Sequence, residues 1–398
     1  MNLHYLSDVI RELPEFKRIS GQLQKDVKSR LTLRLPEPTY SYFAASIYNT
    51  LGMPVLLVTA HPDSAARVCE QVKLWLKPDS DAVFFPEIDL LGGTSSSDPV
   101  ITSERMKVLA ALSGYENGGI NNKCPFIVTS ALALAGRSVA RDEIQSGLLV
   151  LEKGSHVHQA EMLDRLQSIG YKYEEVVEIP GTFLKRGGIV DVYPTGRELP
   201  VRIEFFGDEV DSIREYDPRT QRSQAQLTSI SILPAHDVSV SGDSNILDYL
   251  PAKSILILDD PGQIEEEIKK IEEEARDLKS SVGNDSGEGA ESIAYFVWEE
   301  IAARIEALNH VIRLNSWDDA EPGIKGYALP FKAAPDFLAR FSAFAEHLPD
   351  LRHENKRVII VSQQSDRLKE LLVEHNIEVA PAMHLAEMPL EGSLTLIQ

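Results

Sequence analysis

The chain has 398 residues, a formal net charge of -21, 43% hydrophobic and 25% charged residues, and two cysteines. That length accommodates two to four domains with ordinary cores, and the acidic balance leaves few cations to neutralise phosphates, which argues against DNA as its main ligand. No apolar run approaches the ~20 residues that span a bilayer, the opening "MNLHYLSDVIRELPEF" lacks a signal peptide's pattern, and Cys69 and Cys124 carry no C-x-x-C spacing, so a reduced, cytoplasmic protein is expected.

The first elements alternate as in an α/β protein. "LTLRLPEPTYSYFAASI" keeps a strand, turn and helix rhythm. A phosphate loop at such a turn needs G-x-x-x-x-G-K-S/T, because backbone amides wrap the phosphates and the lysine reaches them. The sequence has no Gly-Lys pair and places Pro36, Glu37 and Pro38 where glycines would stand. The prolines remove amide donors and Glu37 repels phosphate, so no nucleotide is expected there. Val55 to Thr59 reads as a buried strand. A helix follows on Ala65, Val68, Cys69, Val72, Trp75 and Leu76, stopped at Lys77-Pro78. Ala82 to Phe85 and Phe126 to Thr129 read as two further buried strands, separated by a flexible "LGGTSSSDP" loop. Strands alternating with helices predict a parallel sheet.

After about Ser130 the pattern changes. "SGLLVLEKGSHVH" is strand-like, "QAEMLDRLQSIG" helical, and the stretch from Gly181 strand-rich, which predicts an α+β insert over residues 146–234. The α/β pattern then returns. "SILILDD" is a buried strand feeding a long charged helix near Pro261, and a polar, mobile loop is expected from Ser280 to Ser292. From about Lys356 another strand and helix follow, and the apolar "EGSLTLIQ" suggests that the chain is part of a longer protein. Asp259-Asp260 resembles a magnesium-binding pair at a strand end; without a phosphate loop, a strand-to-helix turn capped by Asp260 is the better reading. His156 and His158 have no third ligand at recognisable spacing, and alternation in a strand or turn accounts for them.

The insert holds the candidate binding residues. In "VRIEFF", Val201, Ile203 and Phe205 share one face and Arg202, Glu204 and Phe206 the other. In "GGIVDVYP", Val190 and Val192 point one way and Ile189, Asp191 and Tyr193 the opposite way. Arg186, before Gly187-Gly188, flanks the stripe. Two arrangements are open from alternation. Arginine and an exposed aromatic together compose an interface hot spot. Alternatively, Phe206 tucks under the turn at Gly207 and Arg202 pairs with Glu204 or Glu209.

"GTFLKRGGIVDVYP", "VRIEFFGDEVDSIREYDPRTQRS" and "SILPAHD" resemble a block shared by the bacterial damage-handling subunit UvrB and the transcription-repair coupling factors (Mfd). A UvrB-like protein has a working phosphate loop and a long tyrosine-rich hairpin that clamps DNA. Here those positions read "LPEPTYSYFAASI" and the short "FFPEIDLLGGTSSSDPVITSERM", which is similar to the coupling factors' amino-terminal region. The resemblance implies an α/β fold of degenerate P-loop-type parallel-sheet halves (1–145 and 235–345), an inserted UvrA-binding α+β domain (146–234) and the start of a further α/β domain (346–398). It also implies UvrA contacts at Arg186, Arg202 and Phe206, with no catalytic, cofactor or metal residue in this chain. RNA polymerase, DNA, ATP and Mg are expected to bind other regions of such a protein. The expected role is a non-catalytic adaptor that recruits UvrA and links stalled polymerase to nucleotide excision repair. A UvrB-like helicase subunit and a DNA-binding module are the rival readings.

Overall fold

The computed structural model describes residues 2–25, 27–88, 98–116, 119–120, 125–236, 243–281, 295–315, 326–332, 337, 341–385 and 387–398. Its strands, in chain order, begin with β1 (Ser29–Arg34), β2 (Val55–Thr59), β3 (Ala82–Phe85), a short pair β4 (Tyr115–Glu116) and β5 (Gly119–Ile120), and β6 (Phe126–Ser130). The middle of the chain supplies β7 (Leu149–Glu152), β8 (Lys172–Tyr173), β9 (Thr182–Arg186), β10 (Ile189–Tyr193), β11 (Val201–Phe206), β12 (Glu209–Tyr216), β13 (Ser223–Leu227) and β14 (Ser229–Ile232). Then come β15 (Ile255–Asp259), β16 (His310–Asn315), β17 (Tyr327–Ala328), β18 (Val358–Val361), β19 (Pro381–Ala382) and β20 (Leu394–Ile397).

The protein is α/β, as the alternation predicted. Its largest sheet has seven parallel strands in the order β17-β1-β16-β15-β2-β6-β3. Strands from before and after the insert thus interleave in one sheet. Parallel strands covered by helices on both faces are apolar at every position, and β2 and β6 are buried throughout. Leu56, Val58, Ile127, Leu256 and Leu258 pack on one face, with Phe296 and Ile301. Val55, Leu57, Val128, Ile255 and Ile257 pack on the other, with Phe43, Ile47 and Val72. The helix Pro62–Trp75 and the strands at 55–59 and 82–85 lie where periodicity placed them. Cys69 is buried on this helix, and burial pushes its thiol up to about 11. Cys124, residues 91–97 of the Gly/Ser loop and residues 282–292 of the polar loop lie outside the described residues. Ser280 and Ser281 end the helix Pro261–Ser281.

The second sheet runs β13-β12-β11-β10-β9-β8. Its inner face carries Phe183, Val190, Val192, Val201, Ile203 and Ile213, packed with Met162 and Leu166 of the helix Gln159–Ser168 and with the β7–β14 ribbon. The turn between β10 and β11 rests on the helix Pro99–Leu112, where Gly196 donates its N–H to Ser103 Oγ at 2.9 Å. Gly196 has φ +78°, and a Cβ there would come within 3.4 Å of the Lys107 backbone, so a tight turn and a close approach coincide at this residue. A third, parallel sheet, β18-β20-β19, packs with the helices Phe341–His353 and Ser365–Glu374. Among the described residues, no helix is long and apolar enough to cross a membrane.

Candidate protein-docking site

Two edges of the molecule invite a ligand. The first is the carboxyl edge of the seven-stranded sheet, where parallel α/β folds usually bind small molecules. Between β1 and the helix Tyr40–Leu51, residues Glu37–Thr39 form a single 3-10 turn. Thr39 closes it by donating both its N–H (2.9 Å) and its hydroxyl (2.7 Å) to the Pro36 carbonyl. The end of β15, two strands away across β16, brings Asp259 near Glu37. Burial first, then the charges of Glu37 and Asp260, push the Asp259 carboxyl from 3.8 up to about 7. Asp260 sits at φ +53° and caps the following helix, accepting from the Gln263 N–H at 3.2 Å and its Nε2 at 2.7 Å. The pair is a strand-to-helix turn, as read from the sequence.

The second edge is the hairpin end of the insert sheet. β9 and β10 are joined by Gly187-Gly188, and β11 and β12 by Gly207-Asp208. Two-residue hairpin turns need a positive φ, which Gly187 (+63°) and Gly207 (+64°) supply. The tips lie side by side, because Ile189 pairs with Glu204 and Phe205 donates its N–H to the Gly188 carbonyl at 2.8 Å. A Cβ on Gly188 would sit 3.0 Å from the Phe205 carbonyl oxygen, so the second glycine permits this contact. The segment before the helix Gln159–Ser168 braces both tips. Val157 N–H donates to the Asp208 carbonyl at 2.7 Å, and Gln159 Nε2 donates to the Gly187 carbonyl at 3.2 Å. His156 bridges Glu209, and His158 Nδ1 lies 3.0 Å from Asp208. Among the described residues, no three His, Cys, Asp or Glu side chains group as a metal-holding set.

The alternation within β11 holds. Val201 and Ile203 are fully buried, Phe205 packs against the same core, and Phe206 is 83% exposed. A register shift between Glu204 and Phe205 falls at the approach to the turn. Phe206 therefore stands out at the hairpin tip instead of tucking under it. Arg202 does not pair with Glu204 or Glu209. Its Nε and Nη2 bond the two oxygens of Asp191 at 2.7 and 2.9 Å, Nη2 also reaches Gln221 Oε1 at 2.9 Å, and the guanidinium lies over the Tyr216 ring at 4.6 Å. Asp191, placed by alternation on the outer face, is only 5% exposed because Arg202 lies against it. Glu204 instead pairs with Arg214 and accepts from Ser212 Oγ at 2.8 Å. Arg186 is on β9, one strand further out than β11's immediate neighbour, and is exposed; its Nη2 donates to the Glu175 carbonyl at 3.2 Å.

The register puts Arg186, Arg202 and Phe206 on one face of one sheet, with Phe206 at the hairpin tip and Arg202 four residues back from it on β11. It adds Ile189, 36% exposed, which pairs with Arg186 on one side and Glu204 on the other. Alternation had put Ile189 on this face, but an apolar residue beside charged ones drew no attention. The Asp191–Arg202 pairing had no local signal, because the seven residues from Pro194 to Pro200 leave the β10–β11 register open.

Residues 149–237 match the family model of the UvrB interaction domain. The matched span runs from β7 through β14 and contains all of the hairpin-end residues. The chain is also similar to transcription-repair-coupling factors. It is 30% identical to that of Bacillus subtilis over 232 residues, 58% of this chain and 19% of the relative. It is 31% identical to that of Haemophilus influenzae over 183 residues, covering 46% and 15%. It is 26% identical to that of Escherichia coli over 211 residues, covering 53% and 18%. The resemblance to the coupling factors stands, over about half of this chain, and the chain spans less than a fifth of these relatives' length.

Proposed function

We propose that this chain is a non-catalytic adaptor whose insert docks UvrA through Arg186, Arg202 and Phe206, with Ile189 between them. One observation carries the reading: a phenyl ring 83% exposed at a braced hairpin tip, on the same sheet face as the exposed Arg186, in a span that matches a UvrB interaction domain. Leaving such a ring in water forgoes roughly 1.5–3 kcal/mol that burial would supply, and a partner with an apolar recess and nearby carboxylates recovers it. In a longer protein of the coupling-factor type, the same contact would link RNA polymerase stalled on DNA to nucleotide excision repair, with polymerase, DNA, ATP and Mg bound by other regions.

The helicase-subunit reading is disfavoured by the turn after β1, where Pro36, Glu37 and Pro38 replace an amide cradle and Glu37 adds negative charge. The test is calorimetry of the chain with purified UvrA, beside titrations with ATP and duplex DNA. UvrA binding without nucleotide or tight duplex binding supports the adaptor; saturable ATP binding, with or without UvrA binding, supports the helicase subunit.

A further inference from the structure

The two arginines of the docking face are held differently, and this points to different tasks. Arg202 has Nε and Nη2 committed to Asp191 and Gln221, leaving Nη1 without a hydrogen-bond partner among the described residues. Its plane is fixed from below by Tyr216, which is 1% exposed. Gln221 is itself held in place. It has φ +58°, donates Nε2 to the Pro218 carbonyl at 2.8 Å and closes the turn by donating its N–H to the Asp217 carbonyl at 2.8 Å. Arg186 has one bond, to a backbone carbonyl, and no carboxylate partner among the described residues. Arg214, the other arginine of this face, is neutralised by Glu204.

Building on the docking function proposed above, we infer that Asp191 and Gln221 are positioning residues that lock Arg202 so that it offers the partner a single fixed donor, Nη1, whereas Arg186 supplies the face's uncompensated positive charge. The partner surface then carries a recess for Phe206 at the hairpin tip and, set back from it, a carboxylate for Arg186 and a separate neutral or shared acceptor for Arg202. Lysine is a point charge without the planar fork. It replaces a free charge well, but an ammonium seated on the Asp191 carboxylate has no second nitrogen to place where Nη1 stands.

The experiment measures UvrA affinity for Arg186→Lys, Arg202→Lys, Arg202→Ala, Asp191→Asn and the double variant Asp191→Asn/Arg202→Ala, each checked for folding by its melting curve. Arg186→Lys is expected to stay within about threefold of the parent chain, and Arg202→Lys to bind as poorly as Arg202→Ala. Asp191→Asn is expected to weaken binding about tenfold alone and not at all when Arg202 is already alanine. Rescue by lysine at position 202 but not at 186, or an Asp191→Asn effect that persists without Arg202, overturns the assignment. A second arm needs no UvrA. In the free chain, the Arg202 Nε–H should exchange with water at least tenfold more slowly than the Arg186 Nε–H by nitrogen-resolved NMR, and equal rates overturn the lock. Failure of the docking function itself looks different: the parent chain then binds no UvrA, and the roles assigned to the partner contacts fall with it.

Discussion

At the carboxyl edge of the seven-stranded sheet, the turn after β1 closes on its own carbonyl, and Glu37, Asp259 and Asp260 crowd the space beside it. At the hairpin end of the six-stranded sheet, two glycine turns hold an arginine, an isoleucine and a phenyl ring out in solvent. Both edges are well braced, and they differ in where the bracing groups point. In the first, Thr39 and Asp260 bond back onto their own turns, and in the second the hydrogen bonds run through backbone and Asp191 while apolar and cationic groups face out. On the function proposed above, the sheet keeps its packing without chemistry at its usual binding edge, and the domain inserted in it makes the protein contact.

The strongest way to break this contrast is to exchange the faces of β11. Ile203→Ala, on the buried face, is expected to destabilise the chain by about 2–5 kcal/mol in urea unfolding. Phe206→Ala, three residues along, should change stability by no more than about 0.5 kcal/mol. Equal losses at both positions would mean that Phe206 is core.

The acidic edge makes the next prediction. The native Asp259 carboxyl titrates at about 7 against an ordinary value of 3.8, so the folded chain holds this proton more tightly than the unfolded chain does. Its contribution to stability is full below pH 4 and is lost as pH rises through 7, a difference on the order of 4 kcal/mol at most. Asp259→Asn should flatten that fall and leave the variant more stable than the parent at pH 8, as read from melting temperatures across pH. A variant that loses stability with pH as the parent does would remove Asp259 from the account.

A smaller effect concerns salt. Raising ionic strength should slow the association of UvrA with the parent chain, and Arg186→Ala should blunt that dependence while Phe206→Ala leaves it intact. Stopped-flow association rates at several salt concentrations would check this. The smallest expected signal is at the carboxyl edge of the sheet: ATP titrated into the chain should give no saturable heat. Micromolar binding lost on altering residues 35 to 43 would restore a working site there.

The body was legible because parallel strands buried on both faces are short apolar runs, and "VLLVT" and "AVFF" have one sensible reading. Asp260 was legible as a cap because a strand, two acids and a proline leave few alternatives. The sequence also indicated which face of β11 is wet, since Val201 and Ile203 alternate with charge. The partners of Arg202 were out of reach. Asp191 is eleven residues away across a turn of open register, and Gln221 lies beyond the next strand, so local neighbours such as Glu204 were the natural candidates. Ile189 is the opposite case: alternation puts it on the outer face, but nothing in the local sequence marks one apolar residue there as partly exposed.

The most direct test of the docking surface is the affinity of purified UvrA for the folded parent chain and for Phe206→Ala, measured by calorimetry under one buffer condition. The account predicts saturable binding to the parent and a loss of about 1–3 kcal/mol in the variant, with unchanged melting temperature. Equal affinity of UvrA for both proteins would contradict it.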